Sequence, residues 1–386
     1  MTAMHSSWRE VSEAALRHNV KTLKALVGEQ RLGVVVKADA YGHGLAAVAP
    51  IAVSAGADWL VTNFAHEARA VRALAGCEQV PLYICGTVFA HEADVVAEAR
   101  ARVLVYDVDV ARALDAASRA RGVVTPVHIK IETGTHRQGL MIDDAVALAR
   151  ALSALPGLLL EGIATHFADI EDTTDHRFAD AQWQGLVDAR EAFREAGHPS
   201  LIVHAANSAA TILERKTHGD LVRAGIASYG LWPSKETLTA FRERAPTGTR
   251  APELMPVLAW RALLAQVKDV PAGAYVGYGR TWRTTRPSKI AIVPVGYFEG
   301  YDRRLSNVAH MLVRGVRAPV RGRVCMNMSM IDVTDVSGAA AGDVVTLLGS
   351  DGDERVSAEQ LAGWMNTIHY EAVSRIHGDQ ISVTVA

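Results

Sequence analysis

A chain of 386 residues is too long for one ordinary hydrophobic core, so two domains are expected. Its net charge of −2 argues against nucleic acid or an anionic membrane as partner. Three cysteines (Cys77, Cys85 and Cys325) without paired spacing argue against a disulfide framework or a cysteine-built zinc site, and they fit a reducing compartment.

Near the N-terminus, Arg9, Glu10 and Glu13 stand where a secretory signal would need an unbroken apolar stretch. No segment reaches the roughly 18 apolar residues of a membrane-spanning helix, so a cytoplasmic protein is expected. Eight short apolar runs follow: Leu32–Lys37, Trp59–Asn63, Pro81–Cys85, Val103–Asp107, Pro126–Glu132, Leu160–His166, Ile202–Asn207 and Val222–Tyr229. Alanine-rich stretches of helical period separate them, among them 66–76, 111–122 and 144–157. The last two close on glycine, a common helix C-terminal signal. Eight strand–helix units read as a (β/α)8 barrel. A doubly wound open sheet has the same alternation, but the turn after the first run, KADAYGHG, lacks the GxGxxG spacing of a dinucleotide site.

The character changes after residue 240. Residues 241–256 are charged, hold Pro246, Pro252 and Pro256, and read as a linker. Beyond it, 258–270, 289–296, 310–334 and 343–349 are strand-like and are separated by Gly, Pro and Asp turns. Residues 357–376 read as a helix, with Ser357 and Gln360 spaced as a capping box. The expected domains are a barrel over 1–240 and a mainly β domain over 241–386, with the first ten or so residues free to join the latter.

The segment VVVKADAYGHG (34–44) concentrates the chemistry. A lysine ending a buried strand is costly as a free cation and tends toward a lowered pKa. The neutral amine is a Schiff-base nucleophile. Tyr41 follows, beside glycines that let backbone approach a ligand. Alone, such a segment is also a strand running out to a solvated end. In a barrel, however, functional residues gather at the C-terminal strand ends, and the polar residues here do so: Lys37, Lys130, Arg137, His166, Asn207, Ser208 and Arg223. Glycine and backbone N–H groups near Ser208 and at Gly225-Ile226 suit a phosphate. One lysine, a phosphate cradle and converging arginines suggest pyridoxal phosphate. Taken singly, His166 is also a strand-end histidine, Arg223 an ion pair, Tyr278 a strand aromatic, Tyr370 a packed helix residue and Met326 core filling. No metal role is assigned to any histidine.

VVKADAYGHG (35–44), EGIATHFA (161–168), VHAANSAAT (203–211), LVRAGIASYGL (221–231), VGYGRTW (276–282), RVCMNMSMIDVT (323–334) and HYEAVSRI (369–376) run in an order that resembles the alanine racemase family of fold-type III pyridoxal-phosphate enzymes. The resemblance covers nearly the whole chain. It implies that Lys37 holds the cofactor and serves as base on one face of the substrate Cα. It implies that Tyr278, from the second subunit of a homodimer with shared active sites, is the base on the other face. His166, linked to Arg223, would favour the phenolate of Tyr278. Arg223 would face the pyridine nitrogen, where its inability to accept a proton disfavours a long-lived carbanion and so suppresses transamination. Tyr41, Asn207, Ser208, Gly225, Ile226 and Tyr370 would complete the cofactor site. Arg137 and the Met326 backbone would receive the substrate carboxylate, and Lys130 matches a position where the family's lysine is often carbamylated.

Three places depart from the family pattern: Thr135-His136 before Arg137, Asn327 after Met326 where aspartate is common, and Phe298-Glu299 in the turn 296–301. They leave open serine or broad amino-acid specificity beside the expected racemisation of alanine for peptidoglycan. A fold-type III decarboxylase would place a carboxylate where Arg223 stands, and a lone-barrel cofactor carrier would lack the C-terminal domain.

Overall fold

The computed structural model describes residues 6–244, 246, 249–377 and 381–385. The chain divides into two compact units. One comprises Ala14–Ala38 and Val48–Pro256; the other comprises the described parts of Met1–Glu13, Asp39–Ala47 and Val257–Ala386. The division thus falls after Pro256, not after residue 240, because 235–244 is a helix of the first unit.

A first strand, β1 (Ser7–Ser12), precedes the barrel in sequence. The barrel strands are β2 (Arg31–Val35), β3 (Trp59–Thr62), β4 (Leu82–Ile84), β5 (Arg102–Val105), β6 (Thr125–Lys130), β7 (Leu158–Ala164), β8 (Ile202–His204) and β9 (Leu221–Ala224). All are parallel, in the order β8-β7-β6-β5-β4-β3-β2-β9. Bonds just outside the strands draw β8 and β9 together: Asp220 N–H to Val203 O at 2.8 Å, Arg223 N–H to Ala206 O at 2.9 Å, and Val203 N–H to the Asp220 carboxylate at 2.8 Å. The eight apolar runs therefore form the expected nearly closed barrel, and both faces are covered, as parallel strands require. The intervening helices carry recognisable stops and starts. Asp107 caps the helix 108–120 by accepting from the Asp109 and Val110 amides, and Gly122, at φ +65, follows its end. Gly157 is no helix cap: it lies beyond the helix ending at Leu152, and its amide donates to Asp115 at 2.7 Å.

Inside the barrel, aromatic and polar groups replace the usual aliphatic filling. Trp59 and His128 meet at 5.9 Å and Tyr83 and His204 at 5.1 Å between ring centroids. These pairs come from non-neighbouring strands, which meet only in the interior.

The second unit is mainly β, as its alternating runs indicate. Its larger sheet uses β10 (Leu258–Leu263), then β11 (Gln266–Val270), β12 (Tyr275–Val276), β13 (Trp282–Arg283) and β14 (Ser288–Val293) build smaller sheets. After these come β15 (His310–Val313), β16 (Val316–Pro319), β17 (Ser329–Asp332), β18 (Val344–Asp351), β19 (Glu354–Val356) and β20 (Ile381–Val385). The seven-stranded sheet runs β16-β15-β18-β10-β1-β20, with β19 on β18; β11-β14-β17 and the β12-β13 hairpin are separate. Strand β1 is antiparallel to β10 and parallel to β20. The stretch 258–270 is thus two strands of different sheets. The predicted helix over 357–376 starts at the expected capping box but is two helices, Ala358–Met365 and His369–Ser374, because Asn366 turns left-handed at φ +53.

Candidate active site

Parallel register sets the strand-end residues on one rim. Lys130 ends β6 opposite Ala164, and Ala164 stands opposite His204. Lys37 lies two residues beyond β2 and His166 two beyond β7. Lys130 is 6% exposed. Burial, aided by the neighbouring Arg223 and Arg137 cations, lowers its amine to about 7. His166 is held well below the ordinary histidine value by burial and then by Lys130, Arg223, Arg137 and Lys37. Two lysines and two arginines therefore lie near enough to His166 to disfavour its protonation. Asn207 caps the helix 208–213 and donates to Glu171 at 2.8 Å. Ser208 Oγ accepts from the Gly225 amide at 2.9 Å and the Ala227 amide at 3.3 Å. Ile226 opens the helical turn Ile226–Tyr229, where first-turn amides have no intrahelical acceptor.

Arg223 is anchored from several sides. It donates to Thr165 O at 2.9 Å, to Ala205 O at 3.0 Å, to His166 Nδ1 at 3.4 Å and to His204 Nδ1. An arginine only donates, so His204 carries its hydrogen on Nε2 and passes it to His128 Nδ1 at 2.8 Å. His128 Nε2–H in turn donates to Glu161 at 2.9 Å. The Arg102 fork holds that carboxylate at 2.7 and 3.0 Å. Among the described residues no carboxylate is paired directly with Arg223; two neutral imidazoles link it to Glu161. Burial opposes the charge on Glu161, but bonds from His128 and Arg102 outweigh it and hold the carboxyl below its usual range. No motif singles out Arg102, His128, Glu161 or His204, and of these four His204 alone ends a strand. The available signal is polar side chains inside otherwise apolar strands, where burial demands partners.

The remaining predicted residues lie in the mainly β unit. Tyr41 and Tyr370 have ring centroids 6.3 Å apart. Tyr278 is 72% exposed, flanked by Gly277 and Gly279 at φ +76 and +71. Met326 is 55% exposed beside Tyr297 and Phe298, whose amides donate to Cys325 O at 3.0 Å and Met326 O at 2.9 Å. The charge missing at Asn327 stands next to it: Glu299 accepts from Asn327 Nδ2 at 2.7 Å and from the Gly296 amide at 2.8 Å. His136, in the departure before Arg137, adopts φ +48.

The turn after Lys37 is left-handed. Ala38, Asp39, Ala40 and Tyr41 have φ of 53, 52, 54 and 55, a conformation that costs a non-glycine residue roughly 1–2 kcal/mol each. Gly42 continues it at φ +77, where a Cβ would lie 2.0 Å from Val373 O.

A parallel barrel with lysine, histidine and arginine side chains on its strand-end rim, followed in sequence by a mainly β domain, is the two-domain architecture that the resemblance to fold-type III enzymes implies. A family model for the alanine racemase N-terminal domain matches residues 11–233, and one for the C-terminal domain matches 257–383. The alanine racemase of Leptospira interrogans serovar Lai is 37% identical over 381 residues, 97% of this chain and 95% of that protein. That of Desulfosudis oleivorans is 39% identical over 383 residues, again 97% and 95%. The crystal structure of alanine racemase from D-cycloserine-producing Streptomyces lavendulae matches with a TM-score of 0.90 at 32% identity, covering 100% of this chain and 98% of that one. The chain belongs to the alanine racemase family.

Proposed function

We propose that the protein interconverts L- and D-alanine with pyridoxal phosphate, working in the cytoplasm to supply D-alanine for peptidoglycan. The carrying observation is the rim itself, where Lys130, Arg223, Arg137 and Lys37 lie near His166 and the Gly225 amide donates to Ser208 Oγ beside buried Arg223. That donor set fits the cofactor: an amine for its aldehyde, amides and a hydroxyl for its phosphate, and a cation at its ring nitrogen. Tyr41, Asn207 and Tyr370 complete the holding set by resemblance. When bound, pyridoxal phosphate supplies a sink for the electron pair left on the substrate Cα.

The chain's own residues do the rest. Lys37 Nζ takes or returns the Cα proton on one face and Tyr278 Oη on the other. Two faces are required because one base restores the same enantiomer. With His166 Nδ1 accepting from Arg223, His166 Nε2–H is left to donate to the Tyr278 oxygen and stabilise its anion. Arg223 cannot take up a proton, so it limits charge build-up on the ring and favours reprotonation at Cα. Arg137 and the Met326 amide receive the substrate carboxylate. The lowered Lys130 amine is nucleophilic near neutral pH and suits carbamylation, in which the nitrogen bonds to the carbon of CO2 and releases a proton to water, giving an anion to orient Arg137.

Tyr278 is 72% exposed, and Tyr275, Tyr297, Phe298, Met326 and Met328 of the same unit are exposed as well; a second copy covering Tyr278 suits a shared site. The test is a chiral assay of the cofactor-loaded protein with L-alanine and L-serine, with Lys37→Ala as control. Alanine interconversion abolished by the variant supports the proposal. Cofactor bound through Lys37 with no racemisation refutes it, and faster turnover of serine moves the substrate.

A further inference from the structure

The left-handed turn behind Lys37 is held by more than its own backbone bonds. Asp39 Oδ1 accepts from the Leu45 amide at 2.7 Å, and its Oδ2 accepts from Arg9 Nη1 at 2.7 Å. The same Arg9 nitrogen donates to Gly42 O at 2.8 Å. Arg9 comes from β1, thirty residues upstream, where it pairs in register with Trp260 of β10 and Ser382 of β20. Its side chain is 3% exposed, against 36% for Asp39. A sequestered guanidinium requires a carboxylate and acceptors in its plane, and both of these acceptors belong to the strained segment. Backbone bonds from Gly44 N–H to Asp39 O at 2.9 Å and His43 N–H to Ala40 O at 3.1 Å close the turn. The contact at Gly42 leaves no room for a side chain.

We infer that Arg9 is a positioning residue for the reaction: it locks the turn that follows Lys37 and carries Tyr41, so that both are presented in one fixed arrangement. The inference rests on the reading of Lys37 as the cofactor lysine. Without the guanidinium, the segment 38–41 relaxes toward ordinary backbone conformations and the lysine loses its set direction. One donor bridges a side chain and a carbonyl, so lysine at position 9 replaces it in part and methionine not at all.

The experiment compares wild type, Arg9→Met, Arg9→Lys and Asp39→Asn by amide hydrogen exchange, with and without pyridoxal phosphate, and by the rate of cofactor loss on dilution. Arg9→Met is expected to speed exchange of amides 38–45 at least tenfold while β10 and β18 stay protected, and to speed cofactor loss at least tenfold. Arg9→Lys should fall between Arg9→Met and wild type. Exchange and cofactor loss within twofold of wild type overturn the inference. Protection lost equally across β10 and β18 also overturns it, since Arg9 then only supports the sheet. If Arg9→Met does not fold, Asp39→Asn decides: it retains the Leu45 acceptor and removes the countercharge, and local loosening is again required. Failure of the functional reading is separate, because Lys37→Ala would then retain cofactor like wild type while the exchange result stands.

Discussion

Acidification should weaken the barrel through His128 and His204. Each imidazole already donates one N–H and accepts at its other nitrogen, so a second proton would set donor against donor. Both are 0% exposed, and burial holds both below the ordinary histidine value. The unfolded chain binds these protons as pH falls through about 6.5 and the folded chain resists them. Stability therefore declines as pH drops below that value. Each imidazole removes up to about 1.4 kcal/mol per pH unit, so the pair removes up to about 3 kcal/mol at about pH 5.5. That is a large share of the roughly 5–15 kcal/mol that holds a protein folded. The assay is the opening free energy of β6 and β8 amides by hydrogen exchange at about pH 7.5 and 5.5, in wild type and His128→Gln. Glutamine keeps a donor and an acceptor but does not titrate, so the variant should lose about half as much on acidification. Equal losses in variant and wild type, or a wild-type loss under about 0.5 kcal/mol, refute the reasoning.

Ser208→Ala strips the acceptor from two buried amides; it should cost about 1–3 kcal/mol and speed cofactor loss, read by thermal denaturation and dialysis. Gly42→Ala should lower stability by about 3 kcal/mol or more, given the positive φ and the blocked Cβ; an unchanged melting temperature would count against the close approach of Gly42 to Val373. Lys130→Ala should raise the KM for alanine at least tenfold with a smaller change in kcat, and 13C NMR with labelled bicarbonate should show a carbamate in wild type alone. Lys37→Ala and Tyr278→Phe proteins, each weak alone, should regain activity when mixed and allowed to exchange subunits. No recovery despite proven exchange would exclude a shared site.

Much of the architecture was legible because it rests on local rules. Eight apolar runs with helical stretches between them specify parallel strands buried on both faces, and the Ser357–Gln360 pair marks a helix start whatever surrounds it. The rim residues Lys37, Lys130, His166 and Ser208 were legible because each ends a strand or closely follows one, and parallel register makes strand ends coincide. Where signals depended on distant partners, the reading stopped short. The break at Asn366 and the split of 258–270 between two sheets follow from packing, not from residue type.

The sequence by itself determined the barrel, the β domain and the placing of polar residues at the strand ends, since these follow from periodicity and position along one strand. Only the tertiary structure decided that Glu161 reaches Arg223 through His128 and His204, because those bonds join different strands across the interior. It also decided that Arg9 reaches Asp39 and that four ordinary residues after Lys37 turn left-handed. A strained turn has no sequence signature when glycine is absent; its conformation is imposed by groups that folding brings to it.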